Sequence, residues 1–461
     1  MDATEVGSKS QAFLENAFWD TTTCWATYCD HTYSIASACV VPNEPSPAYM
    51  RSFDDVICDF LREQGVPGAS LYVSLNGRPF YQQGYGTSQA GEGVLSSSLM
   101  RIASISKVVT AMAVLKLCQE RKLELTAQVF GNSGILSGFS ACGGSLHITI
   151  EDLLRHSAGW DREQVGDHVF WYQEEGHAHL DPWDARQLVQ YVLRRDLDFT
   201  PGSKHAYSNL GYLVLGMVIE AVSGMTYQEY VNAMLEVLDI NDVIVGNTRQ
   251  QVVHYEEVKY YNIDSKVQKS VFQDEGLVVP QYGSYPIETT GAYGGLVTCA
   301  RSLVRILESL ARVSGVPPIL PPEVVQQMLA KPGYETDEFA WYGYGLSVED
   351  CGKSYGHTGT MEGTSSTACH HGPSGLTWAL LLNAWSKDMD LDGVVKYALS
   401  TVERLPLWHG VHVGRGLQVL SADMRQCCTY FSSVSNDMEL CLANEVRRVL
   451  YKTFKYLDVE K

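Results

Sequence analysis

Ser104 and Lys107 stand three residues apart at the head of the run Arg101-Ile-Ala-Ser-Ile-Ser-Lys-Val-Val-Thr-Ala-Met-Ala-Val-Leu-Lys116. On a helix, positions i and i+3 share a face, so the Lys107 side chain can reach the Ser104 hydroxyl. A serine hydroxyl is a poor nucleophile until a base takes its proton. A lysine desolvated among Ile102, Val108 and Met112 has a lowered pKa and can be that base. The N-terminus of a helix adds a positive field and free backbone N–H groups beside the same centre.

Two further groups could complete a site. Phe199-Thr-Pro-Gly-Ser-Lys-His-Ala-Tyr-Ser-Asn-Leu-Gly-Tyr212 contains Tyr207-x-Asn209, a phenolic base beside an amide that can orient a substrate carbonyl. A tyrosine needs a neighbouring cation to act as a base, since its free pKa is about 10. Lys107 is the candidate. Tyr230-Val-Asn232 and Tyr260-Tyr-Asn262 share the spacing, but only Tyr207 follows a Pro201-Gly202 turn and precedes an apolar helix. The third group is Tyr355-Gly-His-Thr-Gly-Thr-Met-Glu-Gly-Thr364. Gly356, Gly359 and Gly363 permit close approach of the backbone to a ligand or a neighbouring segment. A strand edge here would offer the Thr360 N–H as one oxyanion donor and the Ser104 N–H as the other. His357 would face the cleft as a polariser or proton relay.

The elements that must hold these groups are partly visible. Met50, Phe53, Val56, Ile57, Phe60 and Leu61 recur at helical spacing. Ala69-Ser-Leu-Tyr-Val-Ser-Leu75 alternates as a strand, Asn76-Gly77 turns it, and Pro79-Phe-Tyr-Gln-Gln83 returns. The Ser104 helix follows. Residues from about 120 to 285 are mainly helices and polar loops. Leu376-Thr-Trp-Ala-Leu-Leu-Leu382 then reads as a buried strand, and Asp390 to Thr401 as a helix. Strands at both ends with helices between predict an α+β fold: one antiparallel sheet flanked by helices, an inserted mostly helical lobe, and a cleft where they meet. Residues 1–45 read as an N-terminal extension, 46–405 as the catalytic domain with its helical lobe at about 120–285, and 406–461 as a C-terminal appendage ending in an amphipathic helix around Leu440 to Leu457.

Bulk composition narrows the function. The 461 residues are 45% hydrophobic and 19% charged, the balance of a folded chain, and carry a formal net charge of −19. That charge argues against nucleic acid and anionic membrane surfaces as partners. The first residues lack a basic and an apolar region, and no apolar run reaches the length of a membrane span. The twelve cysteines include no Cys-x-x-Cys pair. Cytoplasmic, reduced thiols are the expectation.

Taken in order, Ser-x-x-Lys, Tyr-x-Asn and His-x-Gly resemble the motifs of the class C serine β-lactamase-like family, which includes D,D-peptidases, D-aminopeptidases, esterases and some acyltransferases. Ile150-Glu-Asp-Leu-Leu-Arg-His-Ser-Ala-Gly159 is similar to the family's Leu-Leu-x-His-Thr-Ser-Gly segment. Gly211-Tyr-Leu-Val-Leu-Gly216, Val222-Ser-Gly224, Gly294-Gly295 and Tyr342-Gly-Tyr-Gly-Leu346 extend the resemblance over residues 50–405. It implies a β-lactamase/D,D-peptidase-like fold and a Ser104 acyl-enzyme. Lys107 and Tyr207 would share proton transfer, Asn209 would orient substrate, and His357 would occupy the Lys-Thr-Gly site. An imidazole there holds a substrate carboxylate less firmly than an ammonium, which disfavours β-lactam and cell-wall peptide substrates.

The expectation is therefore a serine hydrolase of a small-molecule ester or amide, esterase-like and without a cofactor. Acyl transfer to another acceptor and a catalytically idle binding or assembly protein are the alternatives. The loop Trp160 to Trp183 reads as a lid or specificity loop. Within it, His177, His179 and Asp181 superficially match a zinc motif, but Pro182 stands where a further histidine would be needed. No metal is expected.

Overall fold

The computed structural model describes residues 40–405, apart from 90–91, 171–184, 251–253, 255, 264–265, 273, 386–388 and 403–404. Residues 1–39, the appendage at 406–461 and the His177, His179 and Asp181 triplet lie outside the described residues.

The first helix, α1 (Arg51–Glu63), buries Phe53, Ile57 and Leu61 on one face. The hairpin β1 (Gly68–Leu75) and β2 (Arg78–Gln89) follows, and β3 (Glu92–Gly93) pairs with the end of β2. At the hairpin, Asn76 has φ +51° and Gly77 φ +78°, the positive pair that a two-residue turn with the correct twist requires. The helix α2 (Ser106–Gln119) packs against α3 (Asn209–Ser223) of the lobe, and α4 (Ala300–Ala311) returns the chain to the sheet. The remaining strands of the main sheet are β4 (Trp341–Tyr342), β5 (Ser347–Glu349), β6 (Ser354–Met361), β7 (Thr364–His371) and β8 (Leu376–Leu382), before α5 (Leu391–Ser400). They join β1–β3 in an eight-stranded sheet of order β4-β5-β6-β7-β8-β1-β2-β3. Every pairing in it is antiparallel.

Both faces of the sheet centre are covered, so β1 and β8 are buried along nearly their whole length. Ala69, Leu71 and Val73 stand opposite Leu382, Leu380 and Trp378, and this face packs with α1 and α5. The alternate face, with Tyr72, Ala379 and Leu381, joins the core that includes Leu303, Ile306 and Leu310 of α4. This explains why β8 reads as an unbroken apolar run instead of an alternating one. Asp54 of α1 is a buried exception, and its Oδ1 accepts hydrogen bonds from the Tyr81 and Tyr85 hydroxyls at 2.7 and 2.8 Å.

The fold is thus α+β, an antiparallel sheet flanked by helices with an inserted helical lobe. There is also an unexpected ribbon, in which Leu296–Thr298 pairs with both Met100–Arg101 and Ile244–Val245. Strands of two or three residues are too short for any period to be read. The ribbon matters because it anchors the segment leading into Ser104. Among the described residues, no single helix is long and apolar enough to cross a membrane.

Candidate active site

Ser104 lies in a one-turn 3₁₀ segment, Ala103–Ile105, that leads directly into α2. Ala103 adopts φ +47°, a left-handed conformation that costs energy for a residue bearing a Cβ and recurs where a site needs an unusual backbone path. The strain is held from both sides. The Ile102 N–H donates to the Leu296 carbonyl at 3.0 Å, and the Ser366 hydroxyl donates to the Ile102 carbonyl at 2.9 Å. Strand β6 presses against the same turn. A Cβ on Gly359 would stand 2.3 Å from the Ile102 carbonyl oxygen and 2.3 Å from Ser366 Oγ, so only glycine permits this approach.

Lys107 is one turn further on, with no solvent exposure. Helix α2 is apolar on all sides, which is why it can bury a lysine so completely. The Lys107 nitrogen lies 3.2 Å from Ser104 Oγ, 2.8 Å from Asn209 Oδ1 and 2.6 Å from the Tyr293 carbonyl oxygen. Burial pushes its pKa well below the usual lysine range, against the opposing pull of the Asp167 carboxylate, and Arg162 adds to the depression. A neutral amine in this position directs its two N–H bonds to Asn209 Oδ1 and the Tyr293 carbonyl oxygen, and neither oxygen can donate back. Its lone pair is then left facing the Ser104 hydroxyl. That is the geometry of a general base.

Asn209 opens α3, whose N-terminus is capped by Ser208 through a hydrogen bond from the Gly211 N–H at 3.3 Å. The donor end of its amide reaches Asp167 Oδ2 at 2.6 Å, so one of its two N–H bonds is already committed. Tyr207 lies two residues earlier. Its ring is flanked by the Lys107 amine and the Arg162 guanidinium: Lys107 Nζ lies 4.8 Å from the centroid and the guanidinium carbon 4.5 Å away. Burial nevertheless raises the phenol well above its ordinary pKa, although a hydrogen bond with Ser104 and the Arg162 charge both act in the opposite sense. The phenol is therefore protonated at rest and suited to hand on a proton. The lysine is the better resting base.

The other two Tyr-x-Asn elements do not reach Lys107. Tyr260 accepts a hydrogen bond from the Arg101 N–H at 2.7 Å and donates to Glu257 at 2.6 Å, bracing the strand beneath the site. The Tyr230 hydroxyl is buried without a partner in the lobe core, and Asn232 accepts from Gln228.

His357 differs from expectation in its surroundings. It is buried in β6, with Nε2 at 3.1 Å from the Tyr342 hydroxyl and Nδ1 against the Thr358 carbonyl. It does not line the cavity beside Ser104. Burial, reinforced by Lys107, pushes its pKa down to about 3, so the ring is neutral. Its centroid lies 6.3 Å from that of Tyr207. Thr360, immediately after Gly359, is exposed and does line the cavity. Strand β5 pairs with β6 only as far as Gly356, so the outer edge of β6 is open from His357 onward and its unpaired N–H groups stand beside the Ser104 turn.

The cavity has a volume of about 290 Å³. Its polar lining includes Ser104, Arg162, Asp167, Asn209, Thr360 and Glu362. Phe170, Tyr285, Tyr293, Met361 and Trp385 form much of the apolar wall. A larger, polar cavity of about 870 Å³ lies around Asp242, Glu257 and Arg301 but contains none of the serine, lysine and tyrosine just described. The chemistry therefore selects the smaller one. Among the described residues, no group of three His, Cys, Asp or Glu side chains is placed to hold a metal ion.

Several residues of the site gave no sequence signal. Arg162 and Asp167 sit in the loop read only as a lid, where two charges look like any solvated surface. Tyr293 contributes a backbone carbonyl, which its side chain does not announce. His156 is visible in the Leu-Leu-x-His resemblance but has no role assigned there; it stacks 4.2 Å from the Tyr207 ring centroid, and its Nδ1 accepts from the Ser208 N–H at 3.1 Å. Burial holds it neutral.

Residues 53–402 match the family model described as Beta-lactamase. Among curated proteins, the chain is 27% identical over 330 residues to esterase EstB of Burkholderia gladioli, covering 67% of this chain and 83% of that protein. It is 26% identical over 207 residues to protein flp of Staphylococcus aureus (strain N315), where the match spans 44% of this chain and only 40% of flp. Among solved structures, D-amino acid amidase from Ochrobactrum anthropi SV3 complexed with D-phenylalanine aligns with a TM-score of 0.60 at 21% identity. That alignment covers 78% of this chain and all (100%) of the amidase chain.

Proposed function

Because the chain belongs to the beta-lactamase family over residues 53–402, we propose that it is a serine hydrolase that cleaves a small ester or amide through an acyl-enzyme on Ser104. The observation that carries this reading is the Lys107 nitrogen, held between two acceptors with its third direction open to Ser104 Oγ at 3.2 Å.

In the first half-reaction, neutral Lys107 takes the Ser104 proton as Oγ adds to the substrate carbonyl. The charge that develops on the carbonyl oxygen is met by the Ser104 N–H and the Thr360 edge of β6. Tyr207 gives its proton to the leaving group as the carbon–heteroatom bond breaks, and recovers one from the Lys107 ammonium. Lys107 is then neutral again. In the second half-reaction, water loses a proton to the same base and attacks the acyl carbon, and Ser104 departs with a proton. Asn209 keeps the lysine oriented and has one N–H left for substrate.

The apolar wall of Phe170, Tyr285, Met361 and Trp385 favours a substrate with an apolar acyl or leaving group. The similarity to an esterase and the fold shared with a D-amino acid amidase support esters and amides as the substrate class. Neutral, enclosed His357 offers no ammonium for a carboxylate, which weighs against β-lactam and cell-wall substrates.

The test is intact mass after exposure to a fluorophosphonate, run beside Ser104→Ala. A single adduct that disappears in the variant is expected. Folded wild-type protein that takes up no adduct would overturn the enzyme reading in favour of an idle binding role. A screen of acyl esters and amides, with and without an added alcohol acceptor, then separates hydrolysis from acyl transfer.

A further inference from the structure

An asparagine amide has two ends of nearly equal size and opposite hydrogen-bonding character, so its partners decide which way it points. At Asn209 the choice has a chemical consequence. With its carbonyl toward Lys107, a neutral amine donates to it and keeps its lone pair for Ser104. With its NH₂ toward Lys107, the amide would donate into that lone pair, and the base would be occupied. Lys107 cannot settle the matter alone, because a neutral amine both donates and accepts.

Asp167 can. An ionised carboxylate only accepts hydrogen bonds, and Asp167 Oδ2 lies 2.6 Å from Asn209 Nδ2. The carboxylate is itself held in place. Oδ1 accepts from the Val169 N–H at 3.3 Å, Arg162 Nη1 lies 3.9 Å from Oδ2, and the side chain is 13% exposed. We infer that Asp167 is a positioning residue: acting through Asn209, it keeps the amide carbonyl on Lys107 and so aims the lysine lone pair at Ser104. The inference rests on the proposed Ser104 chemistry.

The same carboxylate also acts on Lys107 through its charge. The titratable groups around the amine are Asp167, Arg162, Tyr207, Tyr212, Tyr293 and the two histidines His156 and His357. Burial keeps the histidines and tyrosines neutral. The fixed charges acting on Lys107 are then Asp167, which favours the ammonium, and Arg162, which opposes it. Removing the Asp167 charge therefore favours the neutral amine at lower pH.

The experiment measures kinact/KI for fluorophosphonate labelling across pH, on the full chain, for wild type, Asp167→Asn and Asp167→Glu. Thermal melting checks that each is folded. For Asp167→Asn the expected result is a fall of roughly tenfold or more, the scale of losing a hydrogen bond to a charged group. The midpoint of the acid limb should also move to lower pH. Asp167→Glu keeps the charge, so it should recover part of the rate and retain the wild-type midpoint. Wild-type rates in Asp167→Asn would overturn the inference, as would a slower reaction with an unmoved midpoint, which is what a merely structural role predicts. Should Asp167→Asn not fold, Asp167→Glu decides: a full wild-type rate or a displaced midpoint would overturn it. A wild-type chain that does not react would instead remove the Ser104 reading beneath it.

Discussion

Replacing Gly359 by alanine tests whether the close contact between β6 and the Ser104 turn is what shapes the site. The added Cβ would stand 2.3 Å from the Ile102 carbonyl oxygen, 2.3 Å from Ser366 Oγ and 3.0 Å from the Ala103 Cβ. An ordinary contact with a methyl carbon is roughly 3.5 Å or more, so the strand and the turn must separate by about 1 Å. The nearest obstacle is backbone, which cannot swing aside. Overpacking of this kind costs about 1–3 kcal/mol of stability. The effect on rate should be larger, because a displacement of about 1 Å at a reacting centre can cost roughly 100-fold. The assay is fluorophosphonate labelling rate together with thermal melting, with Gly315→Ala as the comparison. Gly315 has φ +85° and no atom within 4 Å of an added Cβ, so its substitution strains the backbone without crowding anything. Gly315→Ala should lower the melting temperature and leave labelling unchanged. Gly359→Ala should do both kinds of damage. If Gly359→Ala labelled at the wild-type rate, the contact would not control the position of Ser104 and the argument would be wrong.

Three further outcomes are expected. Tyr207→Phe should slow turnover roughly 100-fold or more while leaving stability nearly unchanged, since it removes the proton donor but keeps the ring between Lys107 and Arg162. Tyr260→Phe should do the reverse, costing about 1–3 kcal/mol in chemical denaturation because the Arg101 N–H and Glu257 lose their partner. The pH dependence of stability should carry the mark of His357, whose folded pKa of about 3 lies below the ordinary histidine value of about 6.5. The unfolded chain then takes up a proton that the folded chain refuses, so this group's contribution is complete above about pH 6.5 and is lost as pH falls toward 3. Urea midpoints measured across that window should show a shallower acid fall in His357→Gln, and an identical profile would remove His357 as a cause.

Much of the scaffold was legible because its signals are local. Asn76-Gly77 marks a hairpin because both residues tolerate positive φ. Leu376–Leu382 reads as a covered strand because every position is buried. The spacing of Ser104 and Lys107 puts them on one turn whatever surrounds them. The ribbon of Met100–Arg101, Ile244–Val245 and Leu296–Thr298 was not legible, since its strands are too short to carry a pattern and its partners lie far apart in the chain. Among the three Tyr-x-Asn elements, the Pro201-Gly202 turn and the apolar helix after it point to Tyr207, but spacing does not. Spacing makes them equivalent, and only the packing of α3 against α2 brings one of them to Lys107.

The sequence by itself determined the chemical inventory of this protein: a serine with a lysine one turn away, a tyrosine and an amide, and a glycine where two backbones must touch. Those follow from side-chain type and from conformational limits that act within a few residues. The tertiary structure decided the states of these groups. Burial lowers the pKa of Lys107 and leaves His357 a neutral, enclosed ring, and burial is a property of everything packed around a residue. It also decided that the carbonyl of Tyr293 and the carboxylate of Asp167 join the site. A backbone oxygen has no residue type to reveal it. A single loop carboxylate has no periodicity, so only the folded chain shows which amide it meets.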